Sequence, residues 1–190
     1  MMKQNNKGLS LVELIVVIAI MAVVIGIGAL SFNLLFGTQA KSCAQKFSGM
    51  LNETKTGCMS RYDETMTLSY RFAGSDPAIT TAGFYTENEL FTIKNDASAV
   101  TTGSEIRKMG GSRVLITVYM TGIEPFVIDK DNGNRITVSF DRASGAFDET
   151  SAVVNGTAVT GYIDKNTFQS GLRTYTITMV QETGKHTLQG

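Results

Sequence analysis

The sequence predicts an α+β chain in which one long N-terminal helix packs on an antiparallel β-sheet domain. Three observations carry this expectation. An uncharged apolar run occupies Leu14 to Phe36, apolar residues then recur at three- and four-residue steps from Ala40 to Cys58, and from Thr65 onward short β-rich runs alternate with turn dipeptides.

The run from Leu14 to Phe36 (LIVVIAIMAVVIGIGALSFNLLF) carries no charge. At about 1.5 Å of rise per residue it spans about 30 Å of hydrocarbon with some tilt. Lys3 and Lys7 precede it, so the positive-inside rule keeps the N-terminus cytoplasmic and sends the chain after about Phe36 outside. An alternative is a cleaved secretory signal, with those lysines as its basic start and Thr38-Gln39-Ala40 as the cut site. Against it, the run exceeds the roughly 7–15 apolar residues of a signal core, and Glu13 stands at its front edge. A carboxylate costs roughly 2.5–3.5 kcal/mol near the centre of a bilayer helix, so Glu13 calls for a function.

Past the run, Ala40, Cys43, Ala44, Phe47, Met50, Leu51, Thr54 and Cys58 share one helical face, whereas Lys41, Gln45, Lys46, Asn52, Glu53 and Lys55 fall largely elsewhere. One helix from about Ser10 to Ser60 follows, its first half for lipid or a filament core and its second half for a globular domain. Gly26, Gly28 and Gly37 are its weak points, each costing about 1 kcal/mol relative to alanine. For Gly26 and Gly28 two readings stand, ordinary transmembrane glycines or a stretch that loosens on assembly.

Strands are expected at Thr65–Phe72, Glu89–Lys94, Arg113–Met120, Phe126–Asp129, Arg135–Phe140, Val153–Val154, Ala158–Ile163 and Arg173–Gln181, all rich in β-branched and aromatic residues. Asn132-Gly133, Ser144-Gly145, Asn155-Gly156 and Thr183-Gly184 mark turns between them. Asp76–Ala82 and Asp96–Gly111, poor in large apolar residues, read as exposed loops. The alternation nominates Leu68, Tyr70, Phe72, Val114, Ile116, Val118, Ile136, Val138, Phe140, Tyr175, Ile177 and Met179 for the core.

The N-terminus, Gly8 followed by Leu9-Ser10-Leu11-Val12-Glu13 and the apolar helix, resembles the prepilin-type cleavage and methylation motif of type IV pilins and type II secretion pseudopilins. The resemblance covers about the first 40 residues, and the order of a long helix then strands is similar to the pilin fold. It implies a leader at 1–8, a transmembrane and assembly helix at 9–37, and a globular domain at 38–190 made of a helix tail to 60 and a β domain from 61. It implies that a prepilin peptidase cuts after Gly8 and that the new amine of Leu9 is methylated. Leu9 stands where the family usually has Phe, and the proline many type IV pilins carry in this helix is absent. The partners implied are that peptidase, other pilin or pseudopilin subunits, the assembly platform proteins and the cytoplasmic membrane. TMTLSYRF, RITVSFDRASGAF and the hairpin over Arg173–Leu188 look similar to the H-type pseudopilins and FimT-like minor pilins.

Physics gives the motif a purpose. Cleavage leaves a positive amine at Leu9 and a carboxylate at Glu13, and in a low-dielectric surrounding each needs a partner. Glu13 of one stacked subunit can face the amine of its neighbour, so assembly neutralises a charge pair.

Other chemistry finds little support. Asp129-Lys-Asp-Asn-Gly-Asn suggests a calcium loop, but Gly133 and Phe140 stand where the pattern wants oxygen ligands, and a type I′ hairpin turn explains the same residues. Cys43 and Cys58 lie on one helix, about 22 Å apart along its axis, against the under about 7 Å a disulfide permits, so both read as buried small hydrophobes. A single histidine, His186, and no Cys-x-x-Cys leave no zinc site, no cofactor and no His-based triad to propose. Lys108-Met-Gly-Gly-Ser-Arg113 lacks P-loop spacing and reads as a turn. Net charge is zero, and Arg61, Arg71, Arg107, Lys108, Arg113, Arg173 and Lys185 make a DNA-binding patch only if folding gathers them. The sequence therefore points to a structural subunit without catalysis, with a minor filament-tip module that captures DNA or another ligand as the alternative.

Overall fold

The computed structural model describes residues 11–60, 63–93 and 99–190, with the side chains of 27–36, 63 and 90–102 outside the described set. Helix α1 spans Leu11–Ser60. The described residues fall into two units, one ending at Leu35 and the other beginning at Phe36.

In the second unit the helix buries the face its spacing predicts. Ala40, Cys43, Ala44, Phe47, Met50, Leu51, Thr54 and Cys58 are all buried, while Lys41, Gln45, Lys46, Asn52 and Glu53 are exposed. Both thiols are free. Burial pushes the Cys43 thiol up to about 12, and Cys58 Sγ donates to the Glu64 carbonyl at 3.1 Å. Gly37 has a packing reason: a Cβ there would lie 2.8 Å from Arg173 Cγ, so the glycine makes room for that stem.

The strands form two antiparallel sheets, where the sequence suggested one. The first has the order β3 (Ala99–Gly110), β2 (Gly83–Ile93), β1 (Asp63–Arg71), β6 (Arg135–Ser139), β7 (Thr150–Val154) and β8 (Thr157–Gly161). The second runs β11 (Lys185–Gln189), β10 (Arg173–Val180), β9 (Ile163–Ser170), β4 (Leu115–Met120) and β5 (Ile123–Ile128). This helix followed by antiparallel sheets is an α+β arrangement consistent with the pilin fold. Period-two burial gives each sheet an inner face: Met66 opposite Val138 and Leu68 opposite Ile136 in the first, Ile116 opposite Phe168 in the second. One core cluster joins these residues to the helix tail, with the Phe47 and Phe168 rings 5.5 Å apart. Phe47→Ala should therefore cost about 3–5 kcal/mol. In a chain beginning at Thr38 it should lower the urea midpoint at an unchanged slope, and an unchanged midpoint would remove Phe47 from the core.

Four expectations are corrected. Most of the segment expected as the loop Asp96–Gly111 is strand β3, paired with β2 from Phe84↔Gly110 to Ile93↔Ala99. Backbone ladders need no apolar side chains, and a strand rich in Ser, Glu, Arg and Lys suits a sheet edge. The expected strand Ala158–Ile163 is divided: β8 ends at Gly161, and Ile163 opens β9 in the other sheet, whose run Asp164-Lys165-Asn166-Thr167 conceals its alternation. Asn132-Gly133 is not a hairpin turn, because β5 and β6 lie in different sheets and the only non-glycine with positive φ among the described residues is Asn155. Asn155 and Gly156, at φ 50° and 80°, do make the two-residue hairpin between β7 and β8. Phe72, nominated for the core, is 56% exposed one residue past β1.

Candidate functional site

At the start of the chain the structure places one of the three expected site residues. Glu13 is exposed on α1, close to the first described residue of the helix. Gly8 and Leu9, the expected cleavage and methylation residues, lie outside the described residues. Large apolar side chains from Leu11 to Ile25 are 47–75% exposed. Leu14 to Ile18 are consecutive, and at about 100° per residue they cover the whole circumference of the helix. Such a surface is stable only against lipid or other apolar protein. Among the described residues no helix is long and apolar enough to cross a membrane, and the side chains of 27–36, the last part of the expected span, lie outside the described set.

The family model described as "Prokaryotic N-terminal methylation motif" matches residues 3–29. Residues 3–29 are thus similar to a prokaryotic N-terminal methylation motif. The match supports the type IV pilin and pseudopilin family and includes Gly8, Leu9 and Glu13. No curated protein and no solved structure matches the chain significantly. The motif points to a structural subunit rather than an enzyme.

In the globular unit, the charged residues are mostly engaged. Arg71 pairs with Glu87. Arg107 on β3 donates to both carboxylate oxygens of Glu53 on α1 at 2.5 and 2.9 Å, and to Glu105 at 2.7 and 2.6 Å. These bonds hold the Arg107 guanidinium above its usual range and the Glu105 carboxyl below its own. Lys108 Nζ donates to Thr81 Oγ1 at 2.5 Å and stands 5.9 Å from the centre of the Tyr85 ring. The basic residues considered for DNA are thus in part neutralised where they stand, and Arg61 lies outside the described residues.

The Asp129–Asn134 loop is held from within. Asp129 Oδ1 accepts from the amides of Asp131 and Asn132 at 2.8 and 3.0 Å, and the Asn132 and Asn134 side chains both donate to the Val127 carbonyl at 2.8 Å. These oxygens cap backbone, and among the described residues no cluster of His, Cys, Asp or Glu could hold a metal ion. His186 on β11 binds the helix tail through Nε2, 3.1 Å from the Ser48 carbonyl and 3.0 Å from its hydroxyl. Burial holds its pKa below the usual histidine value.

One cluster escaped sequence reasoning. Glu64 on β1, Asn88 on β2, Glu53 on α1 and Glu105 on β3 line a single cavity of about 510 Å³. Glu64 and Asn88 are each 6% exposed, and burial pushes the Glu64 carboxyl above its usual range. The signal was available: Glu64 has the parity of Met66 and Leu68, and Asn88 that of Phe84, so each is a polar residue at an inward position.

Proposed function

We propose that the chain is a pilin-like structural subunit, anchored in the cytoplasmic membrane, cleaved after Gly8 and assembled through its N-terminal helix into a type IV pilus or a type II secretion pseudopilus. The observation that carries this reading is the methylation-motif match at residues 3–29. A helix apolar on every side from Leu14 to Ile18, with Glu13 directly before that stretch, supports it. Its partners in this reading are the prepilin peptidase, the assembly platform and neighbouring subunits, with residues from about Thr38 on the outer side of the membrane. Methylation falls on the Leu9 amine. The alternative of a filament-tip module capturing DNA gains no support from Arg71 and Arg107, both paired with carboxylates.

Processing tests the reading directly. Co-expressed with its cognate peptidase, the chain should lose Met1–Gly8, read as the intact mass of the mature protein. A bulky residue in place of Gly8 should block the cut by obstructing approach to the backbone. An uncleaved N-terminus, or a cut near Ala40, would sink the proposal.

A further inference from the structure

At the end where its chain begins, the globular unit gathers exposed apolar tips and basic side chains. The Arg173 stem packs on Gly37, and the turn Gly171-Leu172 that leads into β10 closes on the pair Ser170↔Arg173. Ser170 Oγ donates to the Arg113 carbonyl at 3.1 Å, which brings the approach to β4 to the same end. The first sheet reaches it through Gly110, where an added Cβ would lie 3.0 Å from Cys43 Sγ. Gly110 pairs with Phe84, next to the Arg71↔Gly83 pair, and Phe72 follows directly.

Among the described residues of this unit, the exposed large apolar side chains are Met59, Phe72, Leu115, Leu172 and Val180. The two most exposed, Leu172 at 85% and Phe72 at 56%, lie at this end, together with Leu115. A two-residue hairpin tip favours small polar residues, so the fold gives no reason for Leu172. Lys41, Arg113 and Arg173 are exposed around it. The carboxylates here are committed: Asp76 and Asp129 accept from backbone amides, and Asp131 pairs with Lys130.

We infer that this end docks on an anionic phospholipid surface, with Leu172 and Phe72 entering the boundary between headgroups and acyl chains and Lys41, Arg113 and Arg173 meeting the phosphates. The inference rests on the membrane-anchored reading, since the apolar run ends at Phe36, the residue before Gly37, and so brings a bilayer to this end. Separate apolar tips flanked by flexible cations suit a fluid surface that moulds to them, and anionic lipid supplies the complementary charge.

The chain has no tryptophan, so Leu172→Trp sets a single emitter at this end. Val180→Trp sets one at the other end, beside the turn where Lys55 reaches the Thr183 carbonyl. Both sites are exposed, so neither substitution threatens the fold. Each full chain is reconstituted at neutral pH in vesicles of acyl-brominated phosphatidylcholine, with or without phosphatidylglycerol. With phosphatidylglycerol, the Leu172→Trp emission should shift to the blue and be quenched severalfold more than that of Val180→Trp, as for a side chain about 5–10 Å into the boundary. Adding Lys41→Gln or Arg113→Gln should each cut the ratio of docked to lifted domains about fivefold. Raising salt from about 0.01 to 1 M, which shortens the screening length from about 30 to 3 Å, should weaken docking further. Equal quenching at both ends, or quenching of Leu172→Trp that ignores phosphatidylglycerol and salt, would overturn the inference. Alkaline carbonate extraction is scored separately: release of the chain would overturn the anchor, while the quenching at neutral pH still decides the docking.

Discussion

Glu13→Val is expected to leave the protein in the membrane and remove it from filaments. Valine makes the N-terminal helix more apolar, so insertion has no reason to fail. What disappears is the partner proposed for the mature amine of Leu9 in a neighbouring subunit. Leaving one member of a buried ion pair uncompensated costs about 3–5 kcal/mol, or more than about a hundredfold in association for each contact so broken. Because every subunit would meet this penalty in turn, the loss compounds along the filament. Comparing sheared filament fractions with membrane fractions measures it. Glu13→Gln, which keeps the shape without the charge, should fail in the same way. Incorporation of the Val variant at the wild-type level would show that charge pairing does not drive assembly.

The parts of this protein that announce themselves in sequence are those where one physical demand acts alone. The helix tail is one, since every residue named from its spacing, from Ala40 to Cys58, is buried. The hairpin at Asn155-Gly156 is another, because only a few residue types tolerate two successive positive φ values. Where two demands compete, the sequence misleads. Strand β3 is held by its ladder to β2, and its Ser104, Glu105 and Lys108 are exposed, so it reads as a loop. Strand β9 sits between β10 and β4, yet it carries Asn166, fully buried with neither amide atom partnered, and such a residue hides a central strand. The assignment of strands to two sheets was not legible, because β5 and β6 are sequential neighbours that part at the Asp129–Asn134 loop. The cavity around Glu64 was missed for a smaller reason: starting β1 at Thr65 rather than Asp63 left the inward carboxylate outside the strand.

A chain beginning at Thr38 should be soluble and fold cooperatively, whereas one beginning at Arg61 should aggregate. The first retains the helix tail and both sheets, and it discards the exposed apolar side chains from Leu11 to Ile25. The second loses Phe47, Met50 and Leu51, each buried against the sheets. At about 1.5–3 kcal/mol for each large apolar side chain taken out of water, these three account for about 5–9 kcal/mol. That is as large as the whole stability of many domains, roughly 5–15 kcal/mol. Removing the tail also breaks polar ties the sheets would not otherwise lack: Thr54 to Asn88, Ser48 to His186, Lys55 to the Thr183 carbonyl at 2.8 Å, and Glu53 to Arg107. Asn88 and His186 would then present unpaired polar atoms beside an uncovered apolar face, the surface on which sheets associate. Circular dichroism and size-exclusion chromatography of the two chains make the comparison. The longer should elute as a monomer with a cooperative melt, and the shorter in the void volume or as inclusion bodies. Equal solubility and equal melting of both would mean that the helix tail does not complete this core, and the pilin-fold reading would have to be withdrawn.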